Sequence, residues 1–246
     1  MSQVEVTFLG SGDAFGSGGR FQTCFHVRSA TMRFLIDCGP SALIAMKRFG
    51  QEASLVDLVL LSHLHGDHFA GLPFLILEAQ FSRRTRPLVV AGPPGVGERV
   101  RGTMELMFPG SSQVQRRFAV EFIELTERSQ NSIGELIVIP YGVVHPSGAP
   151  SYALRVEFAG RTIGYSGDTE WTDALLAAAR GADLFICEAY FFDRKIKYHL
   201  DYRTLQHHRP QLDCRRLILT HMGEDMLPRL PELGVEWAED GQSVIL

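Results

Sequence analysis

An apolar run, Val56-Asp-Leu-Val-Leu-Leu-Ser62, ends abruptly in His63-Leu-His-Gly-Asp-His68, and no other stretch restricts the fold as much. The run is short, aliphatic and closed by polar residues, which predicts a buried strand delivering the histidines to a sheet edge. In an extended segment alternate side chains share a face. His63, His65 and Asp67 would then point together, with Gly66 giving the backbone room to turn His68 inward. Three imidazoles and a carboxylate so closely spaced read as half of a metal site, which needs further ligands from elsewhere in the chain.

Polar residues do recur at other predicted strand ends. His145 follows Pro140-Tyr-Gly-Val-Val, Asp168 follows Tyr165-Ser-Gly and His221 follows Leu217-Ile-Leu-Thr, so all can converge on one edge. Together with the first stretch they are too many for one tetrahedral ion and suit two divalent metals. Histidine and aspartate donors fit zinc, and manganese or iron as well. Asp37, ending a strand from Met32, is placed either to hold an imidazole N–H from behind or to cap a turn.

With 45% hydrophobic and 21% charged residues, the 246-residue chain has an ordinary globular composition, expected as one domain over residues 1–246. A faint echo divides it into halves of about 1–115 and 116–246: Phe34-Leu-Ile-Asp37 resembles Ile163-Gly-Tyr-Ser-Gly-Asp168, and Asp57 to His63 resembles Arg216 to His221. The formal charge of −4 supplies no broad positive field for nucleic acid. No signal-like or membrane-length apolar stretch is present, and Cys24, Cys38, Cys187 and Cys214 are scattered singly, so a cytoplasmic, reduced protein is expected.

Strands are predicted at Val4–Leu9, 24–29, 32–37, 87–91, 182–186 and 217–220. Four more, 118–125, 136–141, 152–158 and 161–165, alternate like antiparallel strands. Helices are predicted at 41–49 with Ser41 as cap, 69–81 despite Pro73, 96–107 and 171–180. The loop Gly10–Gly19 is glycine-rich enough to approach an anion, although it matches no phosphate-binding fingerprint. Arg83, Arg84, Arg86, Arg116 and Arg117 read as solvated loop charges, His26 as a satisfied structural histidine, and His207 and His208 as solvent-facing. Residues 234–246 read as a closing pair of strands.

The ordered set His63, His65, Asp67, His68, His145, Asp168 and His221 resembles the H-x-H-x-D-H signature and later ligands of the metallo-β-lactamase superfamily. The resemblance spans essentially the whole chain. It implies an α/β, four-layer αββα sandwich and two divalent metals, zinc being the expected ion with manganese or iron as alternatives. His63, His65 and His145 would hold one metal, Asp67, His68 and His221 the other, and Asp168 would bridge them. Phe8-Leu-Gly-Ser-Gly12, Ile36-Asp-Cys-Gly39, Tyr165-Ser-Gly-Asp-Thr169 and Leu219-Thr-His221 are similar to the tRNase Z and phosphodiesterase branch.

In that branch Cys187-Glu-Ala-Tyr190 corresponds to an H-E-A-T segment and His199 to the histidine of H-S-T. This implies that Glu188 orients His199, which touches the scissile phosphate or protonates the leaving oxygen; here the motif reads His199-Leu-Asp201. The branch commonly inserts a basic arm that grips tRNA between the positions of His145 and Asp168. Pro146–Gly167 holds only a turn and two predicted strands, so a small or nucleotide phosphodiester is the expected substrate and tRNA is disfavoured. Hydroxide held between the metals and oriented by Asp67 would attack phosphorus. The alternatives are a tRNA 3′-processing endoribonuclease, a thioester, lactone or lactam hydrolase, and a non-catalytic nucleotide-binding protein. The related branch is often homodimeric.

Overall fold

The computed structural model describes residues 3–246. One mixed sheet contains β1 (Glu5–Gly10), β2 (Cys24–Arg28), β3 (Arg33–Ile36), β4 (Leu58–Leu60), β5 (Leu88–Gly92) and β6 (Val120–Glu124). The other contains β7 (Asn131–Ile133), β8 (Leu136–Gly142), β9 (Tyr152–Phe158), β10 (Arg161–Tyr165), β11 (Leu184–Glu188), β12 (Leu217–Thr220) and β13 (Glu236–Trp237). The last strand, β14 (Ser243–Ile245), returns to the first sheet beside β1, so β13 and β14 close different sheets rather than pairing with each other. The chain crosses between the sheets after Glu124, later than residue 115.

Alternation explains why four layers form. Phe34, Ile36, Leu58 and Leu60 face Leu154, Val156, Ile163 and Ile186 of the opposing sheet, in one inner core. Their neighbours Leu35, Val59 and Leu61 point outward and are covered by α1 (Ala42–Arg48), α3 (Leu72–Phe81) and α4 (Val96–Met107), with the single turn α2 (Gly66–Phe69) between. On the other side Phe185, Cys187 and Leu219 pack under α5 (Ala174–Ala179) and α6 (Tyr202–His208). A strand apolar on both sides must be covered on both sides, giving helix, sheet, sheet, helix. Edge-to-face pairs lock the sheets together, with ring centroids 5.3 Å apart for Phe34 and Phe158 and 5.2 Å for Phe25 and Tyr165.

Several local expectations are corrected. β6 runs parallel to β5, whereas β7 to β10 are antiparallel, and the short β7 has no counterpart among the predicted strands. The predicted helix 69–81 is broken at Ala70-Gly71, because Pro73 fits only the first turn of a new helix. Gly71 also passes so close to the Gly39 carbonyl that a Cβ would lie 2.2 Å from its oxygen. The 171–180 helix shrinks to α5. Ser41 occupies the cap position of α1, but its hydroxyl accepts from Gln22 N–H. Arg84 is buried rather than solvated, donating to the carbonyls of Ser54, Arg86 and Pro87. No helix among the described residues is long and apolar enough to cross a membrane.

Candidate metal centre

The ends of β3, β4, β8, β10, β11 and β12 supply Asp37, His63, His145, Asp168, Glu188 and His221 along one rim, the place where parallel strands leave side chains free of the ladder. His63 and His65 leave β4 in extended chain, but the extension stops at Gly66, where α2 begins. This differs from the alternate-face reading of the stretch, in which Asp67 points with His63 and His65. Asp67 and His68 become neighbours on a helical turn, so Asp67 joins His68, Asp168 and His221, while His63 and His65 meet His145. Gly66 is not at positive φ and a Cβ there would meet nothing within 4 Å, so room for a turn is not its role.

The ligand-type atoms within each of these two groups lie within 4.8 Å of one another. Asp168 Oδ2 stands between the groups, 3.3 Å from His68 Nε2, 3.4 Å from His221 Nε2 and 3.9 Å from both His63 Nε2 and His145 Nε2. Asp67 Oδ2 lies 3.2 Å from His68 Nε2 and 3.3 Å from His221 Nε2.

Hydrogen bonds behind the cluster decide which ring nitrogen is free. Asp37 accepts from Ser62 N–H and Ser62 Oγ–H at 2.8 Å each and from His68 Nδ1 at 2.7 Å. With its proton given to Asp37, Ser62 Oγ accepts from His63 Nδ1 at 3.0 Å. The Tyr198 carbonyl can only accept, so His145 Nδ1 donates to it at 2.8 Å. Each bond leaves Nε2 as the inward lone pair, the tautomer that a metal ligand requires. His63 Nε2, His68 Nε2 and Asp168 Oδ1 are buried without a hydrogen-bond partner. Orphaned acceptors facing one another are costly unless a cation lies among them, and this donor set fits divalent metals.

Electrostatics agree with that fit. Burial opposes a charge on His68, yet the carboxylates of Asp168, Asp67 and Asp37 hold its pKa well above the ordinary imidazole range. Burial likewise opposes charge on His221, but Asp168 and Asp67 push it up to about 9. His63, with burial and His68 against it, is held well below the ordinary value. Positive charge is thus favoured on the Asp67–Asp168 side.

A second buttressed histidine adjoins the cluster. Glu188 is fully buried, not the solvated carboxylate its position alone suggests; it accepts from Thr169 N–H and, at 3.0 Å, from His199 Nδ1. Burial lowers the pKa of His199, but the Glu188 hydrogen bond and charge win and raise it. The His199 ring stacks against His221 at 5.7 Å and lies 4.7 Å from Tyr190.

Asp37, Tyr198 and His221 have positive φ of 56°, 73° and 55°, so backbone strain gathers here. The role of the Tyr198 carbonyl leaves no trace in the sequence, whereas Ser62, polar and next to His63, could have been singled out. The Gly10–Gly19 loop borders the site, since Ser11 O accepts from His221 N–H, and several of its own N–H groups are already taken. Asp13 accepts from Ser17 N–H and Oγ, and Asp240 accepts from Ser11 N–H. His26 is buried with Nδ1 unpartnered, not satisfied, and His208 stacks on Trp171 away from the cluster.

The chain is 27% identical over 267 residues to the ribonuclease Z of Methanosarcina acetivorans, covering 89% of this chain and 87% of that one. It is 30% identical over 161 residues to the ribonuclease Z of Lachnoclostridium phytofermentans, covering 65% of this chain and 51% of that protein. Among solved structures, the short form of human tRNase Z superposes with a TM-score of 0.79 at 26% identity, covering 98% of each chain. These place the chain in the tRNase Z and phosphodiesterase branch of the metallo-β-lactamase superfamily, as a metal-dependent hydrolase. Within it, a family model described as anti-Pycsar protein Apyc1 matches residues 4–238, and the chain belongs to that family.

Proposed function

We propose that the chain hydrolyses a small or nucleotide phosphodiester at a dinuclear centre. The observation that carries this reading is the pair of adjoining donor groups with Asp168 Oδ2 between them. His63, His65 and His145 would hold one divalent metal, Asp67, His68 and His221 the other, with Asp168 shared. Zinc suits these donors, and manganese or iron would too. Bound metals supply Lewis acidity and an activated water near neutral pH.

The chain's own residues then divide the work. Asp67 accepts a hydrogen bond from the attacking water and orients it. His199, kept protonated by Glu188, presents Nε2–H to the leaving oxygen. The raised pKa of His199 supports the role of acid. Asp37, Ser62 and the Tyr198 carbonyl hold the inward tautomers.

The test is a substrate panel of cyclic nucleotides, linear phosphodiesters, precursor tRNA, a thioester and a lactam, with metal content and particle mass measured on the same sample. Phosphodiester turnover with two metals per chain is expected, and Asp67→Ala should lose both one metal and turnover. Full activity in a metal-loaded Asp67→Ala protein would overturn the mechanism. Processing of tRNA is the second reading, favoured by the names of the ribonuclease Z relatives. Against it, residues 146–167 form only a turn and the β9–β10 hairpin, with no arm.

A further inference from the structure

A carboxylate holds His199 at one atom, and aromatic rings hold it at its faces. The Glu188 hydrogen bond fixes Nδ1 at 3.0 Å, but one such bond does not set how the imidazole is turned about it. Three rings limit that turn: His145 edge-on at 5.0 Å, His221 nearly parallel at 5.7 Å, and Tyr190, tilted by 34°, the closest at 4.7 Å. His145 and His221 belong to the donor groups. Tyr190 does not, yet its ring also lies 5.8 Å from that of His221.

Tyr190 is itself anchored at both ends. Its N–H donates to the carbonyl of Leu200, the residue after His199, at 2.8 Å, and its own carbonyl accepts from Gly223 N–H at 2.9 Å. A Cβ on Gly223 would stand 3.0 Å from that carbonyl oxygen and 3.3 Å from ring atom Cε1, so a glycine there lets the tyrosine sit this close. At the tip of the side chain, burial and the Asp13 carboxylate push the hydroxyl up to about 12, which keeps it a neutral donor. Asp13 is fixed in turn by Ser17 N–H and Oγ–H. One aromatic side chain thereby joins the Gly10–Gly19 loop to the His199 segment.

We propose that Tyr190 is a positioning residue: its ring, packed against both His199 and His221, sets the plane in which His199 presents Nε2–H to the leaving oxygen. The assignment rests on the phosphodiesterase reading above. Proton transfer needs the N–H aimed at the acceptor's lone pair, so a ring free to tilt loses rate even while its Glu188 hydrogen bond remains.

The test offers the metal-loaded protein methyl phenyl phosphate and methyl 4-nitrophenyl phosphate, of which only the first releases an oxygen that needs a proton to depart. Tyr190→Leu and Tyr190→Met fill the space without a flat face. In both, kcat on the phenyl ester should fall about tenfold further than on the nitrophenyl ester, with KM and metal content kept. Tyr190→Phe, which restores a ring, should recover most of that loss. An unchanged phenyl ester rate overturns the assignment. So do equal losses on the two esters, or loss of metal or of the fold in both ring-less variants, since Tyr190 would then serve the cluster or the core rather than His199. If the wild type hydrolyses neither ester, the phosphodiesterase reading fails. In that case, or if only the nitrophenyl ester reacts, NMR of the ¹⁵N-labelled, zinc-loaded protein decides the role of the ring by itself. The His199 Nδ1–H signal, identified by its absence from His199→Asn, should exchange with water faster in Tyr190→Leu than in the wild type or Tyr190→Phe; equal exchange in all three overturns the assignment.

Discussion

Each half of the molecule ends a strand in a buried carboxylate that steadies a histidine, and the two differ in what surrounds that histidine. Asp37 at the end of β3 collects three hydrogen bonds and holds His68, which has no exposure. Glu188 at the end of β11 is equally buried, but its partner His199 sits on a loop with its side chain 20% exposed. The first arrangement fixes a ligand inside the core. The second leaves the ring partly open to solvent, where the proposed mechanism uses its proton. In the proposed mechanism this difference separates holding a metal from serving the reaction, and the substitutions below press on it.

The largest effect is expected from Asp37→Ala, which strands Ser62 N–H, Ser62 Oγ and His68 Nδ1 in the core. Stability should fall by about 3–5 kcal/mol, read by urea unfolding, and metal content should fall with it. Glu188→Gln removes the charge but keeps the shape. It should lower kcat by roughly 100-fold on a substrate with a poor leaving group while metal content stays intact; equal losses of metal in the two variants would erase the distinction.

His26 sharpens the comparison by having no carboxylate against its ring. It is as buried as His68, yet burial, with Arg33 and Arg28 adding to it, lowers its pKa to about 4. A folded-state value below the ordinary one near 6.5 means that the unfolded chain binds the proton more readily. The stability contribution is therefore complete above 6.5 and lost as pH falls toward 4. By pH 5 the loss should be about 2 kcal/mol, and His26→Leu should flatten the curve between pH 7 and pH 5. The smallest effect concerns Tyr198, whose positive φ presents its carbonyl to His145. Tyr198→Val, β-branched in a left-handed conformation, should cost about 1 kcal/mol, while Tyr198→Gly should retain the fold.

Much of this was legible in one dimension. The 96–107 helix, the 152–158, 161–165 and 217–220 strands and the order of the histidine and aspartate residues follow from period, turn residues and strand-end polarity, which are local properties. Local patterning does not say where the extended chain after Leu60 becomes helix, so alternation alone sets Asp67 beside His63 and His65, and only the family resemblance sets it with His68. Nor could it tell that Arg84 and Glu188 are interior, since charge alone reads as solvated until the partners are known. Those partners, the Ser54, Arg86 and Pro87 carbonyls for one and Thr169 N–H and His199 for the other, lie on separate segments. The sequence by itself determined which donors exist and that they end strands. Only the tertiary structure decided which nitrogen of each histidine faces inward, because the acceptors that fix it, Asp37 and the Tyr198 carbonyl, are brought up by strands and loops far away along the chain.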